Sequence, residues 1–115
     1  MSLVTHLLMG WLVANTTSLT RRERAAVTLA GVVPDVDGLG AVAEIFTRGS
    51  EQSLPWYSEY HHIFGHNLGF GLLVAAVSFL VATRRWKTAI LAFLSFHLHL
   101  LGDLAGARGP DGYQW

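Results

Sequence analysis

Residues 66–103 read "HNLGFGLLVAAVSFLVATRRWKTAILAFLSFHLHLLGD", and the folding of this stretch decides the architecture of the chain. Between His66 and Arg84 lie 17 uncharged residues, roughly 25 Å of helix at about 1.5 Å per residue. The basic cluster "RRWK" at 84–87 follows, and 15 uncharged residues then separate Lys87 from Asp103. Two apolar runs divided by a short charged break predict two helices, the later over about residues 88–105, paired as an antiparallel hairpin. With the hairpin turning at about Arg85, His66 falls level with about residue 104, beside Asp103.

Each run is slightly shorter than the roughly 30 Å hydrocarbon core of a bilayer. The lengths suit a membrane-associated hairpin and also a buried soluble one; composition favours the membrane. Of 115 residues, 51% are hydrophobic and 14% charged, which is apolar for a small domain whose large surface must meet water. Eight basic residues balance eight acidic ones, so no net field draws the chain toward nucleic acid. The absence of cysteine excludes disulfides and thiolate zinc sites. The first twenty residues carry no Lys, Arg, Asp or Glu, so the charged start of a cleaved signal peptide is missing.

Upstream of the hairpin, residues 3–14 predict a first helix closed by "NTTSLT". Thr20 and Glu23 form a T-x-x-E capping box that opens a second helix to about Val32. Gly31 and Pro34 end it, and "PDVDGLG" reads as a loop from its Pro, Asp and Gly content. Residues 41–60, broken by Gly49, Ser50 and Pro55, predict a short helix and a connector. The expected fold is a single all-α domain over residues 1–115, a bundle of four to five helices at least partly embedded in a membrane.

The chemistry-bearing residues are histidines and aspartates. On a helix His99 and Asp103 lie about 40° apart, whereas His97 lies about 200° from His99, on the opposite side. His99 and Asp103 thus have the spacing at which an imidazole and a carboxylate can share one divalent metal. "YHHIFGH" at 60–66 supplies His61, His62 and His66. If the segment is helical, His62 shares a face with His66; if the helix starts nearer Phe64, His61 can fold back to the same centre. Asp35 and Asp37 sit two apart in a turn, where both carboxylates can meet one cation or a pair, although Asp is also ordinary turn chemistry. His6 lies on the first helix among leucines, a common setting for a structural histidine.

These groups sort to one end of the bundle. His6 at the start of the first helix, Asp35 and Asp37 after the second, His66 before the third and His99 with Asp103 late in the fourth share one pole. Arg21, Arg22, Arg24, Arg84, Arg85 and Lys87 fall at the other. Unrelated core histidines would not segregate in this way. Basic ends of membrane helices tend to face the cytoplasm, which directs the His/Asp pole toward the outer side.

"THLLMG", "GVVPDVDGLG", "YHHIFGHNLGFGLL" and "FLSFHLHLLGDLAGARGPDGYQW" together resemble the YdjM-type family, bacterial inner-membrane-associated, LexA-binding proteins assigned as metal-dependent hydrolases. The resemblance runs in order along nearly the whole chain. It implies a metal set of His6, Asp35, Asp37, His61, His66, His99 and Asp103; the expected catalytic residues are Asp35 and Asp37, either of which would bridge two metals or orient the water. His62 stands where the family often has Arg, which leaves the choice between His61 and His62 open: His61 matches the motif, and His62 is then an alternative ligand or a supporting donor. Asn67 and Leu98 each stand where the family often has Ser. The family continues into further membrane segments beyond the position of Trp115, so the resemblance implies a chain truncated at its C-terminus. A more distant likeness is to zinc-dependent phospholipase C, which also carries an H-x3-D pair on a helix.

The expected function is that of a membrane-bound hydrolase of the bacterial inner membrane, acting through metal-activated water on a phosphoester or related bond, in a lipid-like or envelope substrate. His and Asp donors without thiolate suit zinc, and seven candidate ligands exceed one four-coordinate site and suit one or two ions. Two rivals stay open: a non-catalytic membrane protein binding metal for structure or transport, and a soluble bundle whose polar groups serve its core.

Overall fold

The computed structural model describes residues 2–38, Thr47 and residues 66–106, and of residues 36–38 the backbone alone. Helix α1 (Leu3–Asn15) begins where the Ser2 hydroxyl accepts the Thr5 amide, and α2 (Arg21–Ala30) begins at the Thr20–Glu23 capping box. After the Gly31 cap the backbone tightens into a 3-10 helix over Val33–Gly38. Helix α3 (Leu68–Val81) starts at Asn67, whose Oδ1 accepts the Phe70 amide at 2.9 Å. Helix α4 (Arg85–Gly106) then runs back along it. The described elements are all helical, as the sequence led us to expect, and the short helix expected within 41–60 lies outside the described residues apart from Thr47.

Two boundaries differ from the sequence reading. "PDVDGLG" was expected to loop, but its first residues continue as 3-10 helix because the Asp35 amide donates to the Val32 carbonyl at 2.9 Å. Of the "RRWK" break only Arg84 lies in the turn: α4 starts at Arg85 and absorbs the rest. The Arg84 amide, which has no partner within α4, donates instead to Glu23 Oε1 at 2.7 Å. The same carboxylate accepts the Thr20 amide through Oε2 at 2.9 Å. One buried acid thus caps two helices, and the two backbone amides hold its pKa below the ordinary 4.5. The Arg84 guanidinium reaches the Ser18 carbonyl and hydroxyl, closing the basic end of the bundle.

The interior combines Val13, Val27, Phe96 and Leu100 with many small residues. Ala14, Ala30, Ala92, Ser95 and Thr88 are buried, while Leu7, Leu12, Leu72, Leu80, Ile90 and Leu94 point outward. Helices α1, α2 and α4 meet where Gly10, Gly31 and Ser95 converge. A methyl at Gly10 would lie 2.5 Å from the Thr28 carbonyl oxygen, and one at Gly31 would lie 2.8 Å from Ser95 Oγ and 3.2 Å from Gly10 Cα. Backbone cannot yield as a side chain can, so larger residues there force the helices apart, with overpacking costs of roughly 1–3 kcal/mol. This close approach, common where helices pack without large apolar side chains between them, brings α1 near enough to α4 for His6 to touch Asp103. Helix α4 is long and apolar enough to cross a membrane, with 44% of its apolar window buried against the bundle.

Candidate metal centre

Four segments deliver side chains to one pole. His6 comes from the second turn of α1, Asp35 from the 3-10 helix, His66 from the residue before the α3 cap, and His99 with Asp103 from successive turns of α4. Pro34, next to Asp35, is buried, and the 3-10 helix packs against α4. Ligand-bearing atoms of Asp35, His66, His99 and Asp103 all lie within 4.8 Å of one another, a spacing that can hold a metal ion.

The geometry centres on His99, of which 1% is exposed. Its Nδ1 lies 2.9 Å from the Gly31 carbonyl oxygen. A carbonyl only accepts, so Nδ1 carries the proton, and in the neutral ring Nε2 presents a lone pair. Nε2 sits 3.0 Å from Asp103 Oδ2 and 3.6 Å from Asp35 Oδ1, yet it makes a hydrogen bond with neither. Asp35 Oδ2 is likewise buried without a hydrogen-bond partner. An imidazole held by a backbone carbonyl, with its second nitrogen aimed among carboxylates, is the arrangement that metal-ligating histidines adopt. Buried acceptors left facing one another are costly unless a cation lies between them. The residues present therefore fit a divalent ion.

Asp103 ties the cluster together. Oδ1 lies 2.9 Å from His6 Nε2, and Oδ2 lies 3.0 Å from His99 Nε2 and 3.7 Å from His66 Nε2. The His6 ring packs on that of His99 with centroids 3.7 Å apart. His6, His66, His99 and Asp103 are buried, whereas the Asp35 side chain keeps 26% of its surface accessible. The pole thus opens to its surroundings on the Asp35 side.

Of the seven residues expected as ligands, His6, Asp35, His66, His99 and Asp103 converge here. His6 reaches the group through Asp103, outside the set of four. The side chain of Asp37 and both His61 and His62 lie outside the described residues. His66 precedes α3 instead of lying within it. His97 faces away as expected, its Nδ1 donating to the Phe93 carbonyl at 2.9 Å. Sequence reasoning missed Gly31 as the group that orients His99, having taken it only as a helix end, and a backbone carbonyl leaves no side-chain signal in the sequence.

No curated protein matches the chain, and no solved structure does. A family model described as the YdjM inner membrane protein matches residues 1–113. The order of helices, the P-D-V-D turn and the late His–Asp pair all lie within that match, and the chain belongs to the YdjM inner membrane protein family.

Proposed function

We propose that this protein is a membrane-bound, metal-dependent hydrolase of a phosphoester or related bond. The observation that carries the reading is the orientation of His99: Nδ1 is engaged by Gly31, and Nε2 faces Asp35, His66 and Asp103 without a hydrogen bond. Asp35, His66, His99 and Asp103 would hold the ion, with zinc the best match to imidazole and carboxylate donors. Such an ion supplies Lewis acidity and lowers the pKa of water toward neutrality.

The chain's own groups divide the remaining work. His6 donates to Asp103 Oδ1 and fixes the carboxylate plane. Gly31 fixes the His99 tautomer. Asp35, the most accessible of these side chains, would orient an incoming water and take its proton. Burial of the other four side chains excludes bulk water and strengthens each of these interactions. Asp37, and His61 or His62, are the candidates to complete a second ion's shell.

A lipid-like substrate is favoured by what borders the site. Between α2 and α3 runs a groove of about 310 Å³ lined by Ala26, Leu29, Phe70, Leu73, Val74 and Val77. It reaches Phe70, four residues after His66, so an acyl chain in the groove would set its head near Asp35. The outward-facing leucines suit burial in lipid, the protein lying in the inner membrane with its basic pole at the cytoplasm and the His/Asp pole outward. The rival reading, metal held for structure or transport, is set against by the accessible edge at Asp35 only where turnover is measured. The test is hydrolysis of bis(p-nitrophenyl) phosphate by zinc-loaded protein in detergent. Turnover in wild type and a loss of more than about 100-fold in Asp35→Asn is expected; a metal-loaded wild type without turnover on this ester or an acyl-bearing phosphodiester would favour the rival.

A further inference from the structure

A second concave site lies between α1 and α2 and shares Leu29 with the groove between α2 and α3. Trp11 of α1 and Arg21, Arg24, Ala25, Thr28 and Leu29 of α2 line a groove of about 380 Å³. Its two arginines lie toward the basic pole, and none of Asp35, His66, His99 and Asp103 lines it. Arg24 is half-buried, and its Nε is buried with no hydrogen-bond partner among the described residues. Neither Arg21 nor Arg24 forms an ion pair among those residues. Glu23, the acid between them in sequence, is turned inward, its two oxygens taken by the Thr20 and Arg84 amides. Among the described residues no carboxylate lines the groove.

A buried guanidinium nitrogen without an acceptor is costly, and an anion removes that cost. The planar guanidinium fork matches phosphate oxygens. The rest of the lining is amphipathic: the half-exposed Trp11 ring belongs at a membrane–water interface, and Ala25 and Leu29 continue the wall as apolar surface. From Arg21 to Leu29 is about 12 Å along the helix, room for a charged head at one end and the start of an acyl chain at the other. We propose that this groove is a binding site for the phosphate head of an anionic phospholipid, held by Arg21 and Arg24 with its glyceryl and acyl portion along Ala25 and Leu29. The site is independent of metal binding and of any hydrolysis.

Binding is measured by native mass spectrometry and thermal shift on full-length protein delipidated in neutral detergent. The probes are phosphatidylglycerol, phosphatidylcholine and inorganic phosphate. One phosphatidylglycerol per chain is expected, bound about tenfold tighter than phosphatidylcholine and raising the melting temperature. Arg24→Gln and Arg21→Gln should each weaken it roughly tenfold, Arg24→Lys less, while Arg85→Gln, at the same pole but outside the groove, leaves it unchanged. Equal retention by the Arg21→Gln/Arg24→Gln double variant, or equal affinity for phosphatidylcholine, overturns the proposal. Inorganic phosphate binding as tightly as phosphatidylglycerol overturns the lipid assignment. Retained helicity and zinc uptake in the variants separate a lost site from a lost fold.

Discussion

His99 donates from Nδ1 to the carbonyl oxygen of Gly31 at 2.9 Å, across 68 residues of sequence. This bond decides which nitrogen of His99 faces the carboxylates. Its geometry depends on the tight meeting of α2 with α1 and α4, because a methyl on Gly31 would press on Ser95 Oγ, the His6 carbonyl and Gly10 Cα. Gly31→Ala should therefore shift the carbonyl and lower metal affinity by about 10–100-fold, with helicity by circular dichroism retained. Unchanged zinc affinity by competition with a chromophoric chelator would remove the bond from the account.

His6 holds Asp103 from the far side, Nε2 to Oδ1 at 2.9 Å, and stacks on His99. His6→Ala should weaken metal binding by roughly tenfold, less than the loss of a direct ligand. Replacing Asp103 by Asn removes the charge that three imidazoles share and should cost much more. If both variants lose binding to the same extent, His6 is itself a ligand.

Glu23 links the basic end of α2 to the start of α4 through the Thr20 and Arg84 amides. Those donors favour the ionised acid, so its folded pKa lies below 4.5. A depressed acid pKa adds stability that is fully present above the unfolded value and is lost as pH falls through the folded one. Wild type should thus lose melting temperature below about pH 4.5, and Glu23→Gln should melt several degrees lower at pH 7 with a flatter acid limb. Parallel acid limbs for the two proteins would show that Glu23 does not link these helices.

The proposed orientation rests on the segregation of the His/Asp and basic poles. The chain has no cysteine, so single substitutions report cleanly. Membrane-impermeant maleimide applied to intact cells should label Ser2→Cys and spare Lys87→Cys, both positions being exposed. Labelling of Lys87→Cys alone would invert the topology.

Much of this site was legible in local sequence. The i, i+4 spacing of His99 and Asp103 and the hairpin register placed His66 beside Asp103, and Nε2 lies 3.7 Å from Oδ2. The start of α4 was not legible, because the group that satisfies Arg84 is Glu23, 61 residues away. Nor was the role of His6, which depends on how closely α1 approaches α4 through Gly10 and Gly31; a lone helical histidine looks the same whether or not a carboxylate awaits it. Asp35 was recognised as a residue but assigned to a loop, since a 3-10 turn after a glycine cap has no apolar period of its own.

Metal content by inductively coupled plasma mass spectrometry reads the proposed centre itself. Wild type, His99→Ala and Asp103→Asn are purified in parallel in detergent without chelator and equilibrated with zinc. Wild type should retain at least one equivalent per chain, and both variants should fall well below it while keeping their helicity. Undiminished metal in either variant, or none in wild type, would contradict the assignment of a metal centre at His99 and Asp103.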